Sequence, residues 1–344
     1  MSLVAKWNEK FLQRQFELHP IWALFCFLEK STIFEVLIFI SKFMQKVNIC
    51  IATAFFGAIL VQTVSAQEIR AVYNGSKIDV TVGAQFFTSY IFSIEEKYPF
   101  FFPLNGPATG GSVTSMRNGE YPHHSSLFFG CDRVNGGNYW QDGLDRGQIV
   151  SGGAKITEQG VRVVITDECI WQRPGAEPPV KDSRKITITA PSKDMRQIDF
   201  DITLEALTDV EILKTNHSLF SARTAADISV KNGGVMVNAE DEQGEEATFG
   251  KPSAWIDLYG KRGNIVEGIC IMQHSSNAGY PAPWFTRDYG FISPTPMNWN
   301  PPDNAESFRF GKGQKIMLRY RVLIHTGDHK TADIAGQFEK YGNN

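Results

Sequence analysis

Ile198-Asp-Phe-Asp-Ile-Thr-Leu-Glu-Ala-Leu207 alternates apolar and polar residues. Ile198, Phe200, Ile202 and Leu204 share one face, and Asp199, Asp201, Thr203 and Glu205 share the other. Successive side chains of an extended strand point to opposite sides, so the pattern predicts a strand between a core and water. The same period recurs around it, over Gly160 to Ile165, Arg184 to Ala190, Ala254 to Tyr259, Ile265 to Gln273 and Ile316 to His325. Upstream, Ile69-Arg-Ala-Val-Tyr73 and Ser76-Lys-Ile-Asp-Val-Thr-Val82 flank Asn74-Gly75, a pair that tolerates the positive φ of a hairpin turn. Loops rich in Gly, Pro and Asn separate these runs, notably Arg173 to Pro179 and Ser275 to Asp303. Only the C-terminus reads helical, with Thr331 as a cap and Ile334, Phe338 and Tyr341 on one face. There is no internal repeat and no shift in composition. So many antiparallel strands with long loops predict an all-β fold, a large antiparallel sandwich with few helices.

The first part of the chain reads differently. Met44-Gln-Lys-Val-Asn is followed by an apolar run from Ile49 to Val61 and by Val64-Ser65-Ala66. A basic start, an apolar middle and small residues at the end describe a secretory signal peptide over 44–66. Residues 1–43 then read as an upstream extension whose true start is Met44; the rival reading is an uncleaved membrane anchor. Cleavage after Ala66 leaves 67–344 as one β-sandwich domain, long enough to bury a sizeable core, in the periplasm or outside the cell. No apolar run in that part is long enough for a membrane-spanning helix.

A formal net charge of −3 without a basic run gives no support for nucleic-acid binding. Cys131, Cys169 and Cys270 are far apart and odd in number, so at most one disulfide can form and no zinc spacing exists.

The chemistry gathers in loops. Glu120 to Trp140 packs His123, His124, Asp132, Arg133 and Asn135 among aromatic residues and glycines. Lys214 to Arg223 adds Asn216, His217 and Arg223, and Gln273 to Asp288 adds His274, Asn277, Tyr280, Trp284 and Arg287. His325-Thr-Gly-Asp-His329 reads as the end of a strand and the start of the terminal helix, and is left out of the site. Each group also has a bland reading, as a loop pin or a local ion pair. Taken together they predict a cleft for a small polar ligand. Histidine takes or gives a proton near neutral pH, arginine holds a carboxylate or a developing oxyanion, and Trp faces stack on sugar C–H groups.

In this reading His217 and one of His123 and His124 share acid and base roles. Asp132 and Asn135 orient a histidine or bind hydroxyls, and Arg223 holds negative charge. Trp140, His274, Asn277, Tyr280, Trp284 and Arg287 line a carbohydrate ligand. If residues 123–124 are extended, only one of the two histidines serves a given site. No cofactor is expected. A divalent metal on His123, His124, His217 and His274 is the sharper alternative, although no two show a diagnostic ligand spacing. Phosphate-binding glycine loops and a Gly-x-Ser-x-Gly elbow are absent, which disfavours phosphoryl transfer and serine-hydrolase chemistry.

These clusters, in this order, resemble the bacterial family labelled methane oxygenase PmoA. The resemblance rests on Tyr121-Pro-His-His124, Phe128-Phe-Gly-Cys-Asp-Arg-Val-Asn-Gly136 with Trp140, and Thr215-Asn-His-Ser-Leu-Phe-Ser-Ala-Arg223. It continues through Gly250-Lys-Pro-Ser-Ala-Trp-Ile-Asp257, Asn277 to Trp284 with Arg287 and Tyr289-Gly290, and Tyr320-Arg-Val-Leu-Ile-His325. It implies an exported protein of bacterial carbohydrate use with a galactose mutarotase-like sandwich; the His, Arg and Trp chemistry read above fits a hydrolase, lyase or epimerase acting on a sugar or oxidised-sugar derivative. A non-catalytic carbohydrate-binding protein is one alternative, and a metal-dependent oxygenase, as the label says, is another. The chain departs from the family pattern at Phe285, where His is usual, and at Ser125, where Arg is usual. A catalytic role for either family residue would leave this member altered in activity.

Overall fold

The alternating stretch lies within a strand, Met195–Ala206, inside the larger of two sheets. A computed structural model describes residues 67–141, 143–216, 219–297 and 305–342. The expected extension and signal peptide, and His217, lie outside the described residues.

The strands in chain order are β1 (Ile69–Tyr73), β2 (Lys77–Val82), β3 (Gln85–Ile91), β4 (Phe100–Leu104), β5 (Leu127–Gly130), β6 (Gln148–Ser151) and β7 (Lys155–Glu158). Next come β8 (Val163–Gln172), β9 (Val180–Ser192), β10 (Met195–Ala206), β11 (Val210–Leu213), β12 (Leu219–Arg223) and β13 (Val235–Asn238). The last are β14 (Trp255–Arg262), β15 (Ile265–Gln273), β16 (Trp284–Arg287), β17 (Phe291–Pro294), β18 (Ser307–Phe310) and β19 (Lys315–Thr326). One sheet runs β1-β2-β3-β4-β5-β12-β17-β16. The other runs β13-β14-β15-β19-β10-β9-β8-β6, with β7 added on β8, and β11 pairs with β18 apart from both. All the strand pairs are antiparallel, as in the predicted sandwich.

Aromatic contacts join the two sheets through the interior. Phe220 of β12 stacks on Tyr320 of β19 at 4.4 Å and meets Phe200 of β10 edge-on at 4.9 Å. Phe101 of β4 meets Phe200 at 5.7 Å. Such pairs contribute about 0.5–1.5 kcal/mol each beyond the area they bury. One end of the interior is polar. Arg184 pairs with Asp182 at 2.7 and 3.0 Å, the Trp171 indole N–H donates to Asp182, and the Tyr90 hydroxyl donates to Asp167.

Two short elements were not legible as strands. β16 and β17 form a hairpin inside the stretch expected to be loop. Almost every residue of both is buried, so neither shows the polar alternation that marks a half-exposed strand. Among the described residues α-helices are few: α1 is Gly244–Thr248 and α2 is Ile334–Gly342. The terminal helix begins after the predicted cap, and the Asp328 carboxylate accepts the Thr331 amide at 2.7 Å instead. Ile334, Phe338 and Tyr341 do pack together, over Trp255, Met272 and Leu323 on the outer side of the second sheet. Among the described residues no helix is long and apolar enough to cross a membrane. Cys131, Cys169 and Cys270 are all buried free thiols.

Candidate functional site

The strand register of the first sheet sorts its side chains onto two faces. Phe129 faces Phe220, Ala222 faces Ile292, and Thr286 faces Ile292, and these point into the sandwich. The alternate residues point outward: Phe128 beside Ser221, Arg223 beside Phe291, Phe285 beside Ser293, and Arg287 beside Phe291. Apart from the half-exposed Arg287 the outer row is buried as well, so something covers it. The covers are the loops 115–126 and 131–141, which bring His124 and Trp140 over Phe128 and Phe291, and the segment of Glu245 and Phe249 over Phe285 and Arg287.

The first loop turns back on itself. The His124 amide donates to the Tyr121 carbonyl at 3.1 Å, the Arg117 amide to the His124 carbonyl at 2.8 Å, and the Tyr98 hydroxyl to the His123 carbonyl at 2.6 Å. Because 121–124 is a turn rather than a strand, both histidines enter the same cluster. Their rings lie 4.5 Å apart. His124 is sandwiched between Tyr121 at 4.9 Å and Phe291 at 4.4 Å. His123 lies 5.1 Å from Trp140, whose indole N–H reaches Ser221 Oγ at 3.5 Å. Tyr289 closes the cluster, stacked on Tyr121 at 4.7 Å.

Arg223 lies within this aromatic group, 4.4 Å from the Tyr289 ring and 5.7 Å from the Tyr121 ring. Only 6% of it is exposed. Its Nε and Nη1 are buried with no hydrogen-bond partner among the described residues. Burial pushes its pKa down, and burial likewise pushes the Tyr289 hydroxyl up, helped by the neighbouring Tyr121. His124 is buried, whereas Tyr121, His123 and Tyr289 are half-buried and form the wall that solvent reaches. Ser126, Arg133, Asn135 and Leu219, at the edges of the covering loops and of β12, all have left-handed φ, between 47 and 72°. Such backbone costs about 1–3 kcal/mol per residue and gathers where a site must be held in shape. The assembly offers a histidine at solvent for proton transfer, flat rings for an apolar ligand face, and a buried cation.

A family model described as a family of unknown function, DUF6807, matches residues 77–339. The chain belongs to this family. No curated protein matches the sequence. Among solved structures, galactose 1-epimerase from Lactobacillus acidophilus NCFM is similar at a TM-score of 0.40 and 9% identity, over 76% of this chain and 100% of that one. A polysaccharide lyase is similar at 0.30 and 11%, over 76% of this chain and 33% of the lyase. A galactose mutarotase related enzyme from Lactobacillus acidophilus is similar at 0.25 and 9%, over 75% and 97%. At such TM-scores these likenesses carry no argument about substrate or reaction.

Of the residues singled out in the sequence, the DUF6807 chain brings His123, His124, Trp140 and Arg223 together. Asp132 is buried near them in the chain, 3.7 Å from the Arg133 guanidinium. Arg287 is on the same outer face, paired with Glu245 at 2.7 Å and flanked by Phe249 and Phe285 at 4.6 Å each. Other predicted residues serve the scaffold. Asn135 pins its loop to β11: its amide donates to the Asp209 carbonyl at 2.9 Å and accepts the Glu211 amide at 2.7 Å. Trp284 is on the core face, fully buried, with its indole N–H on the Ser253 carbonyl, so no face of it is open to a ligand.

The segment from His274 goes to the second sheet. Asn277 accepts the Arg319 amide and donates to the Arg319 carbonyl, at 2.7 and 2.8 Å. His274 bonds Ser276 and meets Tyr341 edge-on, and burial lowers its pKa. Tyr280 is half-buried, its pKa raised by burial and by Glu240, and no ring contact among the described residues ties it to the His124 cluster.

Sequence reasoning misses Tyr121, Tyr289 and Phe291 as parts of the site. The signal available was an aromatic residue in each segment that also carries His or Arg, with register deciding which ones meet. Among the described residues no three His, Cys, Asp or Glu side chains come together to hold a metal ion.

Proposed function

We propose that this protein is an exported carbohydrate-active enzyme, a hydrolase, lyase or epimerase working by histidine acid–base chemistry on the outer face of its first sheet. The carrying observation is the meeting of His123, His124, Tyr121, Tyr289 and Arg223 from three separate segments at one partly open place. His123, at the solvent edge, exchanges the proton. His124, held between two rings, keeps the wall in place. Tyr121 and Tyr289 take the apolar face of a sugar ring.

The test is to assay the purified protein against a panel of oligosaccharides and glycosides, with product detection, beside His123→Asn. Turnover in the variant is expected to fall 100-fold or more, the usual weight of a general acid or base, with the melting temperature close to wild type. Unchanged turnover in the variant removes His123 from the mechanism.

A non-catalytic carbohydrate-binding role is the second reading, and Phe285 favours it. Position 285 is on the outer face, 5.7 Å from Phe291, which itself touches His124. Where the resembled family carries His, this chain therefore has an apolar ring one layer from the cluster. Phe285→His that gains turnover assigns the chain to this reading, as an enzyme that has lost its activity. The oxygenase implied by the methane oxygenase PmoA resemblance is favoured instead by iron or copper in freshly purified protein.

A further inference from the structure

Arg223 is buried between two tyrosine rings, and no carboxylate among the described residues lies within ion-pairing distance of it. The acid that acts on it at longer range is Glu120, exposed on the covering loop. A buried charge without a partner is costly, so such a group is retained where something else supplies the opposite charge. The nearby arginines already have theirs: Arg117 pairs with Glu96, Arg133 lies beside Asp132, and Arg287 pairs with Glu245.

Glu120 is exposed and water screens it, so Arg223 is left, among the described residues, as a buried cation with no acid in contact. We propose that the ligand of this site is an acidic sugar, a uronate or aldonate, whose single carboxylate is held by Arg223 while its ring lies against Tyr121 and Tyr289. A planar guanidinium matches a carboxylate, and one cation matches a monoanion better than a phosphate ester carrying about −1.5 to −2. This inference rests on the carbohydrate reading above and narrows it.

The experiment measures affinity by calorimetry and melting-temperature shift. The probes are glucuronate, galacturonate and gluconate, the methyl esters of the two uronates, glucose, galactose and glucose 6-phosphate. At least one acid is expected to bind roughly 10- to 100-fold tighter than its neutral counterpart, the range of a hydrogen bond to a charged group. Added salt should weaken that binding, and Arg223→Gln should remove the preference for the acid over its ester. The acid-against-ester comparison uses wild-type protein, so it holds whether or not the variant folds. Neutral sugars binding as well as acids would sink this inference and leave the carbohydrate reading standing. Tighter binding of glucose 6-phosphate than of every carboxylate would overturn the single-charge argument. Silence from the whole panel counts against the carbohydrate reading itself.

Discussion

Two arginines in this protein each lie 4.4 Å from a tyrosine ring, and only one of them has an acid. Arg321, on the outer face of the second sheet, lies over Tyr341 of α2 and makes two bonds to Asp199, at 2.7 and 2.9 Å. Arg223, on the outer face of the first sheet, lies over Tyr289 and makes none to an acid among the described residues. Both faces are covered, one by a helix and one by loops. In the first case the chain supplies its own counter-charge and the face is closed with the fold; in the second, on the proposal above, the counter-charge comes with the ligand. Stacking on a ring is common to both, so the acid marks the difference between a structural arginine and a binding one.

The contrast can be stressed by removing charges in turn. The largest loss is expected inside the sandwich, where Arg184→Met leaves Asp182 buried without its cation. Breaking such a pair costs about 3–5 kcal/mol, readable as a lower urea midpoint. Arg321→Met is next, at about 1–2 kcal/mol, because the pair it breaks is partly at the surface and water takes up some of the loss.

A smaller effect follows pH. Burial pulls the His325 imidazolium down, but Asp257 at 3.0 Å more than offsets this, and its pKa stands above the ordinary value. The pair's contribution is therefore complete below about pH 6.5, the ordinary histidine value, and is lost as pH rises through the raised one. Stability measured across that window should decline in wild type, and His325→Gln should flatten the curve. The least change is expected from Arg223→Gln. Without ligand its stability should match wild type within about 0.5 kcal/mol or exceed it, since the removed charge has no acid in contact among the described residues. A drop like that of Arg321→Met would erase the distinction between the two faces.

Much of the fold was written in the sequence, because β10 and β19 have one wet side and one dry side and so alternate openly. β12 does not. All its residues from Leu219 to Arg223 are buried, with the core on one side and the covering loops on the other. That same double burial hid the hairpin of β16 and β17. The sequence singled out segments that meet in the His124 cluster, but could not say which neighbours share a face. Trp284 and Phe285 are adjacent, yet register sends the first to the core and the second toward Phe291. Polar residues misled for a different reason. Asn135 and Asn277 use both ends of their amides on backbone, the common task of Asn in a loop, and nothing in composition separates that from ligand binding.

The first sheet is a partition one backbone thick, with the cluster on one side and the interior on the other. Phe128, Phe285 and Phe291 face the covered side, and Phe129, Phe220 and Ile292 face the interior behind them. On the proposed function, a new ligand would be sought by rebuilding this one face, whose side chains are set apart by the sheet from those of the interior.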